Sequence, residues 1–256
     1  MNKLLILSIS ALALITTSNA TADVSPEIKA AVASTERPES ETTRDAARKP
    51  GEVLSILGLK PGMNVIDLSA GGGYYTDIVS RVVGKEGTVY SHQTPYVINR
   101  FADSLNNPKK GWLLRLESAQ WKTNVKRKVG ELDSMAYPIQ LDAAMMVLFY
   151  HDIVWQGVDR SSMNRHIFNA LKPGGSFLII DHSAKEGTGI DDVKTLHRID
   201  KKAIIEELTS VGFTLETDSD ILAIAEDTRD FPFWKNPAKK RDHTDRMVLK
   251  FVKPGN

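Results

Sequence analysis

The chain has 256 residues, 41% hydrophobic and 25% charged, which is the balance of a folded protein with a core and excludes disorder as the default reading. Lys and Arg number 33 against 32 Asp and Glu, so no bulk charge directs it to nucleic acid or to an anionic membrane. Cysteine is absent, which excludes disulfides, thiolate metal sites and a cysteine nucleophile.

The opening stretch "MNKLLILSISALALITTSNATADVS" places Lys3 before an apolar run from Leu4 to Ile15, and small residues follow. This is the three-part pattern of a secretory signal, with cleavage expected after Ala20 or Ala22 and a periplasmic destination. The run is shorter than the ~20 residues of a membrane span, so the mature chain is expected to have none. Residues 23–40, including most of "STERPESETT", read as a polar linker or capping segment, and residues 41–256 as a single domain.

Thr42 or Thr43 is placed to cap a short helix over "RDAARK". Pro50 suits the first turn of the next helix and Gly58 its end. "NVIDLSA" is a short run of β-formers, hence a strand. After Gly71, Gly72 and Gly73, the residues Tyr75, Ile78, Val79, Val82 and Val83 recur at helical spacing. "TVYSH" predicts a second strand, residues 95–106 a helix and "NVKRKVGEL" a third strand. "LDAAMMVLFY", apolar on both faces, reads as a central parallel strand. A helix over "DRSSMNRHIFNALKPGG" precedes the strand "SFLIIDH", and Asp200 caps a helix that Gly212 ends. "FTLETDSDI" and "DRMVLKFVKP" close the chain as an antiparallel pair. The alternation predicts a Rossmann-like, doubly wound α/β fold with seven strands, mostly parallel and antiparallel at the C-terminus. In such a sheet ligands bind outside the strand C-terminal ends, where the three glycines lie.

A glycine-rich turn from strand to helix lets a ligand touch main chain. The phosphate-binding pattern G-x-x-x-x-G-K-[ST] is absent, since no Lys-Ser or Lys-Thr pair follows. The dinucleotide pattern is incomplete: Thr76 stands at the third glycine, and the second strand ends in "YSHQT" without an acid. An acid at the strand end followed by small residues, as in Asp67, Ser69, Ala70, Gly71 and Gly73, suits S-adenosylmethionine.

At this point the chain resembles the class I methyltransferases, through "VIDLSAGGGYYT", "GEL" at 130–132 and "ALKPGGSFLIID". More narrowly, "RDAARKPGEVL", "AGGGYYT", "YHD", "LHRID" and "TDRMVLKF" are similar to a family of exported bacterial methyltransferases. The resemblance spans residues 40–254. It implies S-adenosylmethionine as cofactor, with Asp67 orienting its ammonium group and the backbone at Ser69, Ala70, Gly71 and Gly73 cradling its methionine part. It also implies His92 and Gln93 at the ribose and Glu131 at the adenine amino group. Ser69 departs from a glycine usual in the motif, and Gln93 from an acid.

"FYHD" follows the fourth strand, beside the expected methyl group. His151 is read there as a base or as loop packing, Asp152 as its orienting partner or a helix cap, and Tyr150 as pocket wall or core. His182 is a lesser alternative. His197 and Arg198 either overhang the pocket or, for Arg198, form an ion pair. Tyr74 and Tyr75 are expected to shape the turn. The six histidines show no H-E-x-x-H spacing, so no metal is expected. The aromatic and basic segment "FPFWKNPAKKRDH" reads as a solvated loop with a few anchored rings. These residues point first to methyl transfer onto a small molecule. The second reading is a non-catalytic exported binder of another nucleoside-like ligand on the same fold. The acceptor and the oligomeric state are not legible.

Overall fold

A computed structural model describes residues 23–106, 112–117, 124–238 and 242–255. The export signal expected at residues 1–22 lies outside them. Four helices come first: α1 (Pro26–Val32), α2 (Glu39–Thr42), α3 (Asp45–Arg48) and α4 (Pro50–Leu57). The sheet and its helices follow as β1 (Asn64–Leu68), α5 (Tyr74–Val83), β2 (Thr88–Gln93), α6 (Pro95–Arg100), α7 (Ala102–Leu105), α8 (Trp112–Glu117), β3 (Val125–Val129), β4 (Leu141–Val147), α9 (Tyr150–Trp155), α10 (Arg160–Ala170), β5 (Leu171–His182), α11 (Lys201–Val211), β6 (Thr214–Ser219) and β7 (Arg246–Val252).

The seven strands form one sheet in the order β3-β2-β1-β4-β5-β7-β6. The β1–β2, β1–β4, β2–β3 and β4–β5 pairs are parallel, and β7 runs antiparallel to both β5 and β6. The expected α/β fold is therefore present. Strand residues alternate between two apolar layers, as a sheet covered on both faces requires. Ile66, Leu68, Ala144 and Met146 pack with Ile153, Met163, Ile167, Ile204 and Leu208 from α9, α10 and α11. Val65, Ala143 and Met145 pack with Ile28, Leu54, Leu57, Ile78 and Val79 from α1, α4 and α5. Among the described residues no helix is long and apolar enough to cross a membrane.

Several boundaries differ from the sequence reading. The segment read as a polar linker contains α1, capped by Ser25, with Ile28 and Ala31 buried against the core. Neither Thr42 nor Thr43 caps α3: Thr42 ends α2, Thr43 is its C-cap and Arg44 precedes α3. The predicted helix at 95–106 breaks at Phe101 into α6 and α7. The fourth strand stops at Val147, because Leu148 takes a left-handed conformation (φ 55°) and α9 starts at Tyr150. Pro50, Gly58, Asp200 and Gly212 stand at the helix ends assigned to them.

Gly87, between α5 and β2, sets how closely that crossover returns to the sheet. A Cβ there would lie 2.5 Å from the Met63 carbonyl oxygen and 2.6 Å from Val83 Cβ. Gly87→Ala is expected to destabilise the protein by about 2 kcal/mol through this overpacking, measurable as a lower urea midpoint; an unchanged midpoint would contradict the tight crossover.

Candidate active site

The bend between β1 and α5 is built from unusual backbone. Ser69 (φ 53°), Gly71 (φ 60°) and Gly73 (φ 85°) are all left-handed, and α5 starts without a side-chain cap. One imidazole fastens the bend. His92 is fully buried at the end of β2; its Nδ1 accepts from the Ser69 N–H (3.3 Å) and its Nε2 lies 3.0 Å from the Gly130 carbonyl. The two partners define the neutral ring with its proton on Nε2. Burial pushes its pKa down to about 4, against the pull of the Gly130 bond. The Ala70 N–H donates to the His92 carbonyl, and Gln93 Nε2 donates to the Gly71 carbonyl at 2.8 Å.

Beside this bend opens a cavity of about 880 Å³, lined by Asp67, Ser69, Ala70, Gly71 and Gln93 on one side and by Leu148, Phe149, Asp152, His182 and Phe233 on another. Among the described residues, no atom beyond Gly71 and its two chain neighbours lies within 4 Å of where a Cβ on Gly71 would stand. Two buried polar atoms of the lining residues, Ser69 Oγ and Gln93 Oε1, have no hydrogen-bond partner among the described residues. An open bend with unpaired buried polar atoms beside it is what a site for a polar ligand requires.

Asp67 is almost fully buried. A relay of hydroxyls holds it: Trp112 Nε1 donates to Ser91 Oγ (2.7 Å), Ser91 shares a 3.0 Å bond with Thr76, and Thr76 Oγ1 donates to Asp67 Oδ2 (2.6 Å). Burial pushes the carboxyl up to about 6, while the Thr76 bond and the Arg48 charge pull it down. The helices before β1 cover the cavity with Glu41, Arg44 and Arg48. Arg44 pairs with Asp242 at 2.7 Å, and the Arg48 guanidinium lies 4.4 Å from the Tyr74 ring centre. Tyr74 and Tyr75 are buried and shape this wall, as expected.

At the opposite wall, Asp181 at the end of β5 accepts from the His151 N–H (2.8 Å), the His182 N–H (2.8 Å) and His151 Nδ1 (2.6 Å). Burial alone would lower the His151 imidazole; Asp181 and then Asp152 outweigh it and raise it to about 10. Burial alone would raise Asp152, but His151, His197 and the Trp155 N–H hold it well below the usual carboxylate range. His182 is buried, stacks on Phe233 (5.2 Å, 9°) and is held well below its ordinary value, first by burial and then by the His151 charge.

Of the residues expected at a site, Asp67, Ser69, Ala70, Gly71, Gln93 and Asp152 line the cavity. Gly73 sets the bend behind them. His92 does not line it, because both ring nitrogens are committed to main chain. Glu131 is exposed and away from it. Tyr150 points into the helical layer, where its hydroxyl donates to Glu207 (2.7 Å) and accepts from Asn164 (2.8 Å). His151 is 1% exposed and sits behind Asp152, protonated at neutral pH by its two carboxylates, so the structure does not present it as a free base. Arg198 Nη2 donates to both carboxylate oxygens of Asp227 (2.9 and 3.1 Å) in a buried ion pair, and Arg198 does not line the cavity. The cavity residues Glu41 and Phe233 carry no motif, and only the aromatic clustering at 231–234 hinted at the second; Arg44 opens the stretch "RDAARKPGEVL", which did not mark it as a cavity residue.

Residues 29–108 match the profile of the protein-L-isoaspartate(D-aspartate) O-methyltransferase family. Among solved structures, a SAM-dependent methyltransferase from Aquifex aeolicus shares 18% identity at a TM-score of 0.55, covering 82% of this chain and 93% of that one. One from Mesorhizobium loti shares 15% identity at 0.54, covering 80% and 97%. The [4+2]-cyclase SpnF shares 16% identity at 0.57, covering 86% of each chain. These neighbours establish the class I methyltransferase fold. Together with the matched profile over the bend, they support a methyltransferase with S-adenosylmethionine as its cofactor.

The burial of Asp67 has a measurable consequence. Its folded-state pKa lies above its ordinary 3.8, so ionising it costs stability as pH rises through about 4 to 6. Asp67→Asn removes that cost. Relative to the parent, the variant is expected to gain up to about 3 kcal/mol between pH 4 and pH 8 by denaturant titration, and a pH-independent difference would refute the buried ionisation.

Proposed function

We propose that the protein transfers a methyl group from S-adenosylmethionine to a small-molecule acceptor bound in the same cavity. The observation that carries this reading is the open bend at Gly71, where Asp67, Ser69 Oγ and Gln93 Oε1 offer polar partners and no side chain among the described residues fills the space. Held there, S-adenosylmethionine would supply an electrophilic methyl group to the acceptor lone pair and would leave as S-adenosylhomocysteine.

The chain's own residues position the two partners. Asp67 takes the ammonium end, the main chain of residues 69–73 holds the methionine portion, and Gln93 Oε1 accepts from a ribose hydroxyl. The acceptor lies toward Phe149, Asp152, His182 and Phe233, where apolar rings exclude water. Asp152 is the ionised group at that wall and orients the acceptor, and His151 acts through it as a positioning residue. The cavity volume suits a nucleoside together with a small acceptor, and the near-neutral net charge does not favour a polyanionic one. Export is part of the proposal and rests on the pattern in residues 1–22.

Calorimetry is expected to show one equivalent of S-adenosylmethionine, or of S-adenosylhomocysteine, bound per chain. Gly71→Val places a branched side chain in the open bend at positive φ and is expected to weaken binding by roughly a hundredfold or more, about 3 kcal/mol, with circular dichroism unchanged. No heat with either ligand would refute the reading.

Pairing with an ammonium group favours ionised Asp67, so binding must tighten as pH rises through about 6. S-adenosylhomocysteine is expected to bind about tenfold more weakly at pH 5 than at pH 7.5, and Asp67→Asn is expected to lose that dependence. A flat profile in the parent protein would remove Asp67 from the ammonium contact. A reporter fused after residue 30 is expected in the periplasm, and its retention in the cytoplasm would end the export proposal.

A further inference from the structure

We infer that His151, Asp152 and His197 form a binding site for a divalent first-row transition-metal ion in the wall of the cavity. Methyl transfer is not needed for this inference, and no sequence motif announces it, since His197 lies far along the chain from the other two.

The three side chains converge. His151 Nε2 is 3.2 Å and His197 Nδ1 is 2.8 Å from Asp152 Oδ1, and one donor atom from each residue lies within 4.8 Å of the others. Nitrogen and oxygen ligands bind such ions at about 2.0–2.2 Å, which puts neighbouring donors about 3.0–3.4 Å apart in octahedral or tetrahedral geometry. Both separations from Asp152 Oδ1 therefore already suit an ion shared by the three residues.

The second observation is that, among the described residues, His151 Nε2 and His197 Nδ1 have no aligned hydrogen-bond partner and face the Asp152 carboxylate as close ion pairs, with His151 1% exposed. Without metal a ring proton holds this cluster together. An ion bound there displaces that proton and takes the same atoms as ligands.

The surroundings match those of a metal-binding histidine. Such a ring donates its other N–H to a carboxylate, which fixes the tautomer and strengthens the ligand. His151 Nδ1 does this to Asp181 at 2.6 Å, and two main-chain N–H groups hold Asp181 in place. The ligand carboxylate is supported too, by the Trp155 N–H at 2.9 Å. Two imidazoles with one carboxylate favour zinc, cobalt, nickel or iron over magnesium and calcium, which take all-oxygen sites. Three protein ligands leave coordination positions open, and Asp152 borders the cavity.

The competing account is a metal-free cluster of ion pairs. Purified protein, stripped with a chelator and supplied with no methyl donor, is titrated with Co²⁺ and separately with Zn²⁺. Visible absorption of Co²⁺ and calorimetry are the readouts. One equivalent of each ion is expected to bind, with Co²⁺ developing the absorption of a site containing nitrogen ligands. His197→Ala and the near-isosteric Asp152→Asn are each expected to weaken binding about a hundredfold, and Asp181→Asn tenfold to a hundredfold. Absence of saturable binding overturns the inference, as does binding that is unchanged in either ligand variant. Should His197→Ala fail to fold, Asp152→Asn decides alone. Because metal occupancy is read without the nucleoside, this inference and the methyl-transfer reading can fail separately.

Discussion

One neutral histidine ring holds the bend on which the site depends. Ser69 adopts a left-handed conformation that a side chain with a Cβ resists, at a cost of order 1–3 kcal/mol. His92 offsets that cost by accepting from the Ser69 main chain while its other nitrogen engages Gly130. A charged imidazole has no lone pair to offer, so the clip works only because burial keeps the ring neutral. With Ser69 fixed, Gly71 turns its bare Cα toward the cavity, Asp67 ends at its edge, and α5 starts without a side-chain cap.

The two ends of the chain complete what the bend begins. Arg44 and Arg48, in the helices before β1, reach Asp242, just before β7, at 2.7 and 3.5 Å. Such remote pairing ties the cover of the cavity to the last strand of the sheet. On the far wall, Asp181 organises charge through main-chain and imidazole donors. The cavity thus lies between an arginine-rich cover and an acid–imidazole wall.

Much of this was legible in the sequence. Strand and helix periods, with Pro50, Gly58, Asp200 and Gly212 as punctuation, specify the layered sheet, because each is a local preference that the fold does not override. The three glycines after an acidic strand end mark the bend for the same reason. Other features depend on which way a side chain turns. "FYHD" reads as one cluster, yet Leu148 breaks the strand and the helix that starts at Tyr150 sends its ring into the core and His151 behind Asp152. His92 sits at a position expected to meet a ligand, but the main chain claims both of its nitrogens. Glu131 falls outside because the turn after β3 leaves it in solvent. The helical packing of residues 26–32 was hidden by its polar neighbours, since only Ile28 and Ala31 mark the buried face.

The most direct measurement is a crystal structure of the protein grown with S-adenosylhomocysteine. The account predicts the ligand's amino-acid portion lying on the main chain at Gly71, with its ammonium toward Asp67 and polar atoms within hydrogen-bond reach of Ser69 Oγ and Gln93 Oε1. A ligand bound elsewhere, or a bend closed over by the protein's own side chains with the nucleoside present in excess, would contradict it.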